Sequence, residues 1–177
     1  MDTNRLLIFG VLFFLFSTSE TQTVSFQHLS KKEGLSQTSV FAIAQDGAGF
    51  MWFGTRDGLN KFDGYQFEIY RNDTTDNSLA GNDIRTLYAD TLHHNLWVGT
   101  ISGLSCYDSS TDKFTSYYHN EDDTSTLSDN AIRSVFRDRK GRIWVGTSVG
   151  LNLFNEKEKT FQQYYFTNNS SPQLGSN

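Results

Sequence analysis

The chain has 177 residues, of which 37% are hydrophobic and 15% aromatic, enough for one compact core and too many for a disordered polymer. Its formal net charge is −5 at pH 7, with 15 Lys and Arg against 20 Asp and Glu. Proteins that read nucleic acids cluster basic residues against phosphates, so we expect no nucleic acid among the partners of this segment.

Residues 1–23 have the pattern of a secretory signal peptide. Arg5 precedes an unbroken apolar run from Leu6 to Phe16, and small polar residues follow. Eleven apolar residues are too few to cross a bilayer as a helix, which takes about 20. The pattern predicts export with cleavage after about Ser19 to Thr23. The alternative is a short N-terminal anchor that stays in place.

Residues 24–34 contain a strand-like segment, Val24 to Leu29, and a linker. The segment has apolar and β-branched residues but lacks the motif that recurs in the rest of the chain. We expect an orphan strand that completes a sheet formed by another part of the fold.

Three copies of one repeat fill residues 35–173. Their centres read Met-Trp-Phe-Gly-Thr, Leu-Trp-Val-Gly-Thr and Ile-Trp-Val-Gly-Thr, and they contain Trp52, Trp97 and Trp144. The tryptophans are 45 and 47 residues apart, which is the period of four-stranded β-propeller blades. The predicted blades are blade 1 at 35–78, blade 2 at 79–126 and blade 3 at 127–173.

Each copy predicts four short strands. In the first copy, a strand at Val40 to Ala44 ends at Asp46, and a turn leads into the Trp strand. Gly58 then opens a third strand, and Phe67 with Tyr70 marks a fourth. The strands are apolar on both faces, so each sheet needs a neighbour on both sides. The predicted fold class is all-β, with three four-stranded antiparallel propeller blades.

The recurring Trp, Gly and Thr residues are predicted to hold the fold and to contact no ligand. A Trp can fill the space between blades, and a Gly lets backbones approach closely. This structural set is Trp52, Gly54, Thr55 and Gly58; Trp97, Gly99, Thr100 and Gly103; Trp144, Gly146, Thr147 and Gly150.

The chain stops where a fourth copy would begin. Residues 171–177 repeat the opening of a blade, and Leu127 to Leu174 again spans 47 residues, so 174–177 is predicted to start blade 4. Propellers close with 4 to 8 blades. We therefore expect part of an incomplete propeller, whose remaining blades belong to the parent chain and whose closing strand lies in residues 24–34.

The repeat resembles the two-component regulator propeller repeat, and the resemblance covers about residues 24–177. Copies two and three depart from it in details such as Asn95 in place of Gly and Asn155 in place of Asp. In the first copy the matching residues are Gly34, Leu35, Ser36, Asp46, Gly49, Trp52, Gly54, Thr55, Gly58, Leu59, Asn60, Phe62 and Asp63.

This resemblance implies the exported sensor region of a hybrid two-component system. Such proteins typically have two seven-bladed propellers and a β-sandwich in the periplasm, a membrane helix, a histidine kinase, a receiver and a DNA-binding module. The resemblance also implies a periplasmic location, an oligosaccharide ligand, and a homodimeric parent anchored in the inner membrane. This chain would then bind and not catalyse.

Seven polar residues in predicted loops and strand ends are candidates for ligand binding. Asn82 and Asn130 recur at equal positions and could simply make turns. Arg85 and Arg133 follow apolar residues and could extend from the sheet into solvent. The candidates are Arg56, Asp57, Asn82, Asp83, Arg85, Asn130 and Arg133.

Two other functions are alternatives. Propeller glycosidases place two carboxylates about 5 to 9 Å apart, whereas the recurring Asp46, Asp90 and Asp138 fall at hairpin turns. No catalytic motif or metal-ligand spacing is present, so we predict no catalytic residue, no metal and no cofactor. A protein-interaction scaffold would instead use the acidic loops 72–77 and 120–126.

Overall fold

The computed structural model describes residues 25–73, 75 and 77–165. Within these residues it contains one 3₁₀ turn, Lys31–Glu33, and three four-stranded antiparallel sheets. No helix in the described part is long and apolar enough to cross a membrane. The predicted signal peptide and the predicted start of blade 4 lie outside the described residues.

Each predicted blade contains one sheet, and its strands are hydrogen-bonded in chain order. Blade 1 has β1 (Val40–Gln45), β2 (Met51–Thr55), β3 (Gly58–Phe62) and β4 (Phe67–Tyr70). Blade 2 has β5 (Ile84–Asp90), β6 (Asn95–Thr100), β7 (Leu104–Asp108) and β8 (Lys113–Tyr117). Blade 3 has β9 (Ile132–Arg137), β10 (Ile143–Thr147), β11 (Leu151–Asn155) and β12 (Thr160–Tyr164). The all-β blade fold is confirmed.

The blades are arranged with their first strands side by side. β1 lies against β5, and β5 lies against β9. One apolar cluster fills each of the two spaces between blades, and each is built around the Trp of the earlier blade, Trp52 or Trp97. The inner edge of the assembly is therefore formed by β1, β5 and β9, and the fourth strands lie outside.

The glycine of the Trp-Gly-Thr motif marks the closest approach between blades. A Cβ atom on Gly54 would lie 2.5 Å from Cγ2 of Ile84 in the next blade. A Cβ on Gly99 would lie 2.6 Å from Cγ2 of Ile132 and 2.5 Å from Cγ2 of Thr86. All three distances are shorter than real Cβ contacts, so only glycine fits without a shift.

The outer faces of blades 1 and 3 are exposed, whereas the same repeat positions between blades are buried or, at Leu87, half-buried. Leu151 of blade 3 is 39% exposed, although its equivalents Leu59 and Leu104 are 0% exposed. On the other side, Ile43 of blade 1 is 60% exposed and its equivalent Val135 is 7% exposed. The repeat places an aliphatic side chain at each of these positions. The difference in exposure therefore depends on whether a neighbouring blade packs against it in the described structure.

Residues 25–30 do not form a strand in the described structure and pair with none of the three sheets. Phe26 is almost fully exposed. A strand requires a partner strand, and the last blade of a closed ring is the partner that the sequence pattern implies. The closing role of residues 24–34 stays a prediction.

The close contact at the motif glycine predicts that adding one methyl group there lowers the stability of the fold. Gly99→Ala should lower the free energy of unfolding by about 1–3 kcal/mol, because the methyl group overpacks the space between β6 and β9. Gly47→Ala is the matched control, since its Cβ would meet nothing closer than 3.4 Å. Its effect should stay within about 0.5 kcal/mol. Urea denaturation measures both, and equal losses would contradict the packing argument.

The two exposed apolar faces predict that the 177-residue chain by itself self-associates. The double variant Ile43→Lys with Leu151→Lys places a charge on each of the two faces and should shift the sedimentation distribution toward monomer. Leu92→Lys is the control, because Leu92 is exposed on a hairpin outside both faces. A monodisperse wild-type monomer in sedimentation velocity would contradict this prediction.

Candidate functional site

The predicted binding residues lie at one end of the blades, which we call the upper end. In each blade the start of the first strand pairs with the end of the second, as Val40 does with Thr55. The same pairing joins Ile84 to Thr100 and Ile132 to Thr147. The upper end therefore combines the starts of β1, β5 and β9 with the turns that follow β2, β6 and β10.

A β-bulge occurs at the same position in the first strand of every blade. The pairing with the second strand skips one residue after Val40, Ile84 and Ile132. The skipped residues are Phe41, Arg85 and Arg133. Because a bulge locally redirects a side chain and ends regular pairing, three equivalent bulges give the upper end three side chains outside the regular pleat.

Phe41 brings two arginines together. The guanidinium carbon of Arg56 lies 5.0 Å from the centre of the Phe41 ring, and that of Arg85 lies 5.3 Å from it. Both distances are within the range of a cation–π interaction. Phe41 is 43% exposed, so part of the ring is accessible beside the two cations. Arg56 belongs to blade 1 and Arg85 to blade 2, so this cluster spans two blades.

Asp83 completes the cluster. Nη2 of Arg85 donates to Oδ2 of Asp83 at 2.8 Å. Oδ1 of Asp83 and Nε of Arg85 are buried and have no hydrogen-bond partner among the described residues. Buried polar atoms usually have a partner, so these two atoms are exceptions within the fold.

Arg133 occupies the equivalent bulge in blade 3. Its Nε donates to Oγ of Ser148, at 3.1 Å, in the turn after β10. Within the described residues neither Arg133 nor Arg56 forms an ion pair. Two of the three guanidinium groups at the inner edge therefore keep an uncompensated charge.

The threonine of each Trp-Gly-Thr motif shapes the turn at the upper end. Oγ1 of Thr55 donates to the carbonyl of Gly58 at 3.0 Å and accepts from the N–H of Asp57. Thr100 and Thr147 donate to the equivalent glycine carbonyls at 2.9 and 3.1 Å. The motif thus contacts other parts of the fold, and in blade 1 it places Arg56 beside Phe41.

Three of the candidates are used within the fold. Oδ1 of Asn82 accepts from the N–H of Asn72 at 2.7 Å, and Oδ1 of Asn130 accepts from the N–H of His119 at 2.8 Å. These bonds fix the connections that enter blades 2 and 3. Asp57 forms two hydrogen bonds with Arg71, which lower the pKa of its carboxyl. The cluster itself consists of Phe41, Arg56, Asp83 and Arg85.

Sequence reasoning selected Arg56, Asp83, Arg85 and Arg133 but missed Phe41. Phe41 stands at the repeat position of Arg85 and Arg133, one residue after a buried or half-buried aliphatic residue. Alignment of the three copies at that position was the available signal. An aromatic side chain in a strand is ordinarily assigned to the core, which is why the pattern alone did not indicate it.

At the opposite, lower end, two recurring aspartates hold hairpins. Oδ1 of Asp46 accepts from the N–H of Ala48 and of Phe50, and Oδ2 accepts from the indole Nε1 of Trp52 at 2.7 Å. Asp138 makes the same set of bonds, including one to Nε1 of Trp144 at 3.0 Å. Both carboxylates are saturated by their own turns.

Blade 2 departs from this arrangement. Asp90 is 2% exposed and pairs with Arg137 of blade 3 at 2.7 Å and with His93 at 3.0 Å. Nε1 of Trp97 is left buried without a partner among the described residues. The hairpin is one residue longer here, and its carboxylate joins two blades instead of holding its own tryptophan. In the described residues, no three His, Cys, Asp or Glu side chains are placed to hold a metal ion.

Two segments of the chain match a family described as two-component regulator propeller, at residues 34–57 and 126–149. Both segments run from the entry of a blade to the turn after its Trp-Gly-Thr strand. The resemblance inferred from the repeat is therefore confirmed, and the first segment ends on the turn that carries Arg56.

Known proteins with longer chains are similar to this one. Histidine kinase P4 of Formosa agariphila is 44% identical over 75 residues, which are 40% of this chain and 6% of that protein. The extracellular domain of the hybrid two-component system BT3049 from B. thetaiotaomicron is 32% identical with a TM-score of 0.73. That match covers 78% of this chain and 20% of that domain. The chain thus spans a small part of either protein.

The lower-end hairpins predict a pH-dependent stability. Hydrogen bonds from Trp144, Arg142 and Lys140 hold the pKa of Asp138 well below its ordinary range. Its stabilising contribution is therefore fully present above the unfolded-state pKa of about 3.9 and is lost as the pH falls through the folded value. Asp138→Asn should lower the urea midpoint at pH 7 and flatten its fall below about pH 4.

The control for this prediction is Asp122→Asn, which changes an exposed carboxylate outside the hairpins. Urea midpoints measured between pH 7 and pH 2.5 should follow the wild-type curve in the control. Parallel curves for Asp138→Asn and the wild type would contradict the role assigned to the hairpin carboxylate.

Proposed function

This chain carries two-component regulator propeller repeats, and we propose that its blades form part of the ligand-sensing extracellular region of a hybrid two-component system. The ligand of the proposal is an oligosaccharide. The full-length protein is exported to the periplasm, is anchored in the inner membrane as a homodimer, and signals through a histidine kinase. Similarity to a histidine kinase and to the extracellular domain of a hybrid system supports this assignment.

The observation that carries the proposal is the cluster at the upper end. A half-exposed aromatic ring, Phe41, lies beside the guanidinium groups of Arg56 and Arg85 on two adjacent blades. An aromatic ring packs well against the apolar face of a sugar, and guanidinium donors suit its oxygen atoms. Phe41 and Arg85 belong to strands and Arg56 to the turn that Thr55 shapes, so the site is largely formed before a ligand arrives.

The position of the cluster between blades suits a sensor. A ligand that contacts blade 1 through Phe41 and blade 2 through Arg85 would bind differently if the two blades shifted against each other. Such a difference in affinity is what allows a ligand to change the populations of two signalling states. The signal is then a change in population and needs no covalent step.

The recurring carboxylates support a binding role over hydrolysis. Asp46 and Asp138 are saturated by their own hairpins, and Asp90 is buried in an ion pair with Arg137. All three lie at the lower end, away from the exposed ring. A glycosidase needs two accessible carboxyl groups about 5 to 9 Å apart around the scissile bond.

Calorimetric titration of the full-length protein with a panel of oligosaccharides tests the proposal. We expect saturable binding, with the sugar recovered unchanged on chromatography. Phe41→Ala should weaken binding by about tenfold, which corresponds to about 1.4 kcal/mol. Tyr65→Ala should leave the affinity unchanged, because Tyr65 is an exposed aromatic residue on a lower-end turn.

Two outcomes would overturn the proposal. Cleavage of a bound sugar would identify an enzyme. Failure of every sugar in the panel to bind would favour a protein-interaction scaffold.

A further inference from the structure

The inner edge of the upper end is a cationic patch on an acidic chain. The chain has a net charge of −5, yet Arg56 and Arg85 share the Phe41 ring there, Arg133 occupies the equivalent bulge of blade 3, and Asp83 is the only ion-pair partner of the three among the described residues. Acidic side chains of the connecting loops bond within their own turns, as Asp73 does with Thr75 and Asp123 with Ser125. Two further acidic residues lie at the upper end and are engaged within the fold, since Asp57 pairs with Arg71 and Asp129 accepts from the N–H of Ala131.

Arg85 is paired with Asp83, whereas Arg56 and Arg133 are oriented without an ion-pair partner among the described residues. Arg56 and Arg85 face the Phe41 ring, and a ring quadrupole attracts a cation but leaves its N–H groups and its charge available. Arg133 is held by the neutral hydroxyl of Ser148. By contrast, the buried guanidinium of Arg137 at the lower end is paired with the carboxylate of Asp90.

The donors that remain unused suit an anion. In Arg85 the ion pair with Asp83 uses Nη2. In Arg133 the hydrogen bond to Ser148 uses Nε. Guanidinium groups with free N–H edges bind carboxylate and sulfate oxygens in a planar, often bidentate arrangement. A neutral sugar has no formal charge to balance the three cations.

We propose that the ligand at the upper end carries an anionic group, a carboxylate or a sulfate, bound by Arg56 and Arg85 beside the Phe41 ring and by Arg133 at the equivalent bulge of blade 3. This inference rests on the proposed sensor function and adds the chemical class of the ligand. The ring contacts the sugar, and the guanidinium groups contact its charged substituent. Selectivity for charged over neutral saccharides then comes from blades 1 to 3.

Calorimetry on the full-length protein with three probes tests the inference. The probes are an oligogalacturonate, a sulfated oligogalactose and a neutral oligogalactose of the same length. At least one charged probe should bind ten times or more tightly than the neutral one at low salt. Its affinity should fall as ionic strength rises, because the attraction between exposed charges is screened.

Substitutions separate the arginines from general charge effects. Arg56→Gln with Arg133→Gln should weaken binding of the charged probe by about tenfold or more, since both changes remove charge-assisted hydrogen-bond donors. The matched control removes the same charge at the lower end, as Arg139→Gln with Lys157→Gln, two exposed residues without ion pairs in the described structure. The control should bind as the wild type does.

Each outcome has a defined meaning. Preference for the carboxylate or for the sulfate supports the inference and identifies the group. Equal affinity for neutral and charged probes, unchanged by the arginine substitutions, overturns the inference and leaves the sensor function standing. Failure of all saccharides to bind overturns both.

Discussion

The close packing of one blade on the next is the contact on which the rest of the structure depends. The tryptophan of one blade fills the space between sheets. The glycine two residues later has no side chain, so a side chain of the first strand of the following blade packs directly against its backbone. Gly54 receives Ile84 and Gly99 receives Ile132 in the same way. This contact fixes the first strands side by side and so sets the geometry of the inner edge.

The candidate site is a consequence of that packing. The threonine that ends the motif, such as Thr55, shapes the turn at the upper end. The first strand that packs on the glycine has its bulge at the same end. Structural residues of the repeat thereby position the bulge side chain of each copy, which is Phe41 in blade 1 and an arginine, Arg85 or Arg133, in blades 2 and 3. A repeated framework with variable residues on its bulges is a practical way to build a binding surface.

The two ends of the blades use their polar groups differently. At the lower end, Asp46 and Asp138 satisfy hairpin amides and indole nitrogens, and Asp90 joins two blades through Arg137. At the upper end, Arg56 and Arg133 have no ion-pair partner among the described residues, whereas buried polar atoms without a partner occur at both ends. Stability therefore depends on the lower-end carboxylates, and unused binding capacity is found at the starts of the first strands.

The sequence by itself determined the period of the repeat, the four strands of each blade and the turns between them, because these depend on local residue types such as Asp, Gly and alternating aromatic side chains. It also determined which family the repeat resembles and which arginines lie in loops or strand ends. Only the tertiary structure showed the three bulges and Phe41 as part of the site, since both depend on pairing with another strand and on contacts between blades. It likewise decided that Asn82 and Asn130 bond inside the fold, because their partners Asn72 and His119 lie ten and eleven residues away on the connecting loops. Local pattern specifies a blade, whereas the neighbours of a side chain are settled only when blades pack together.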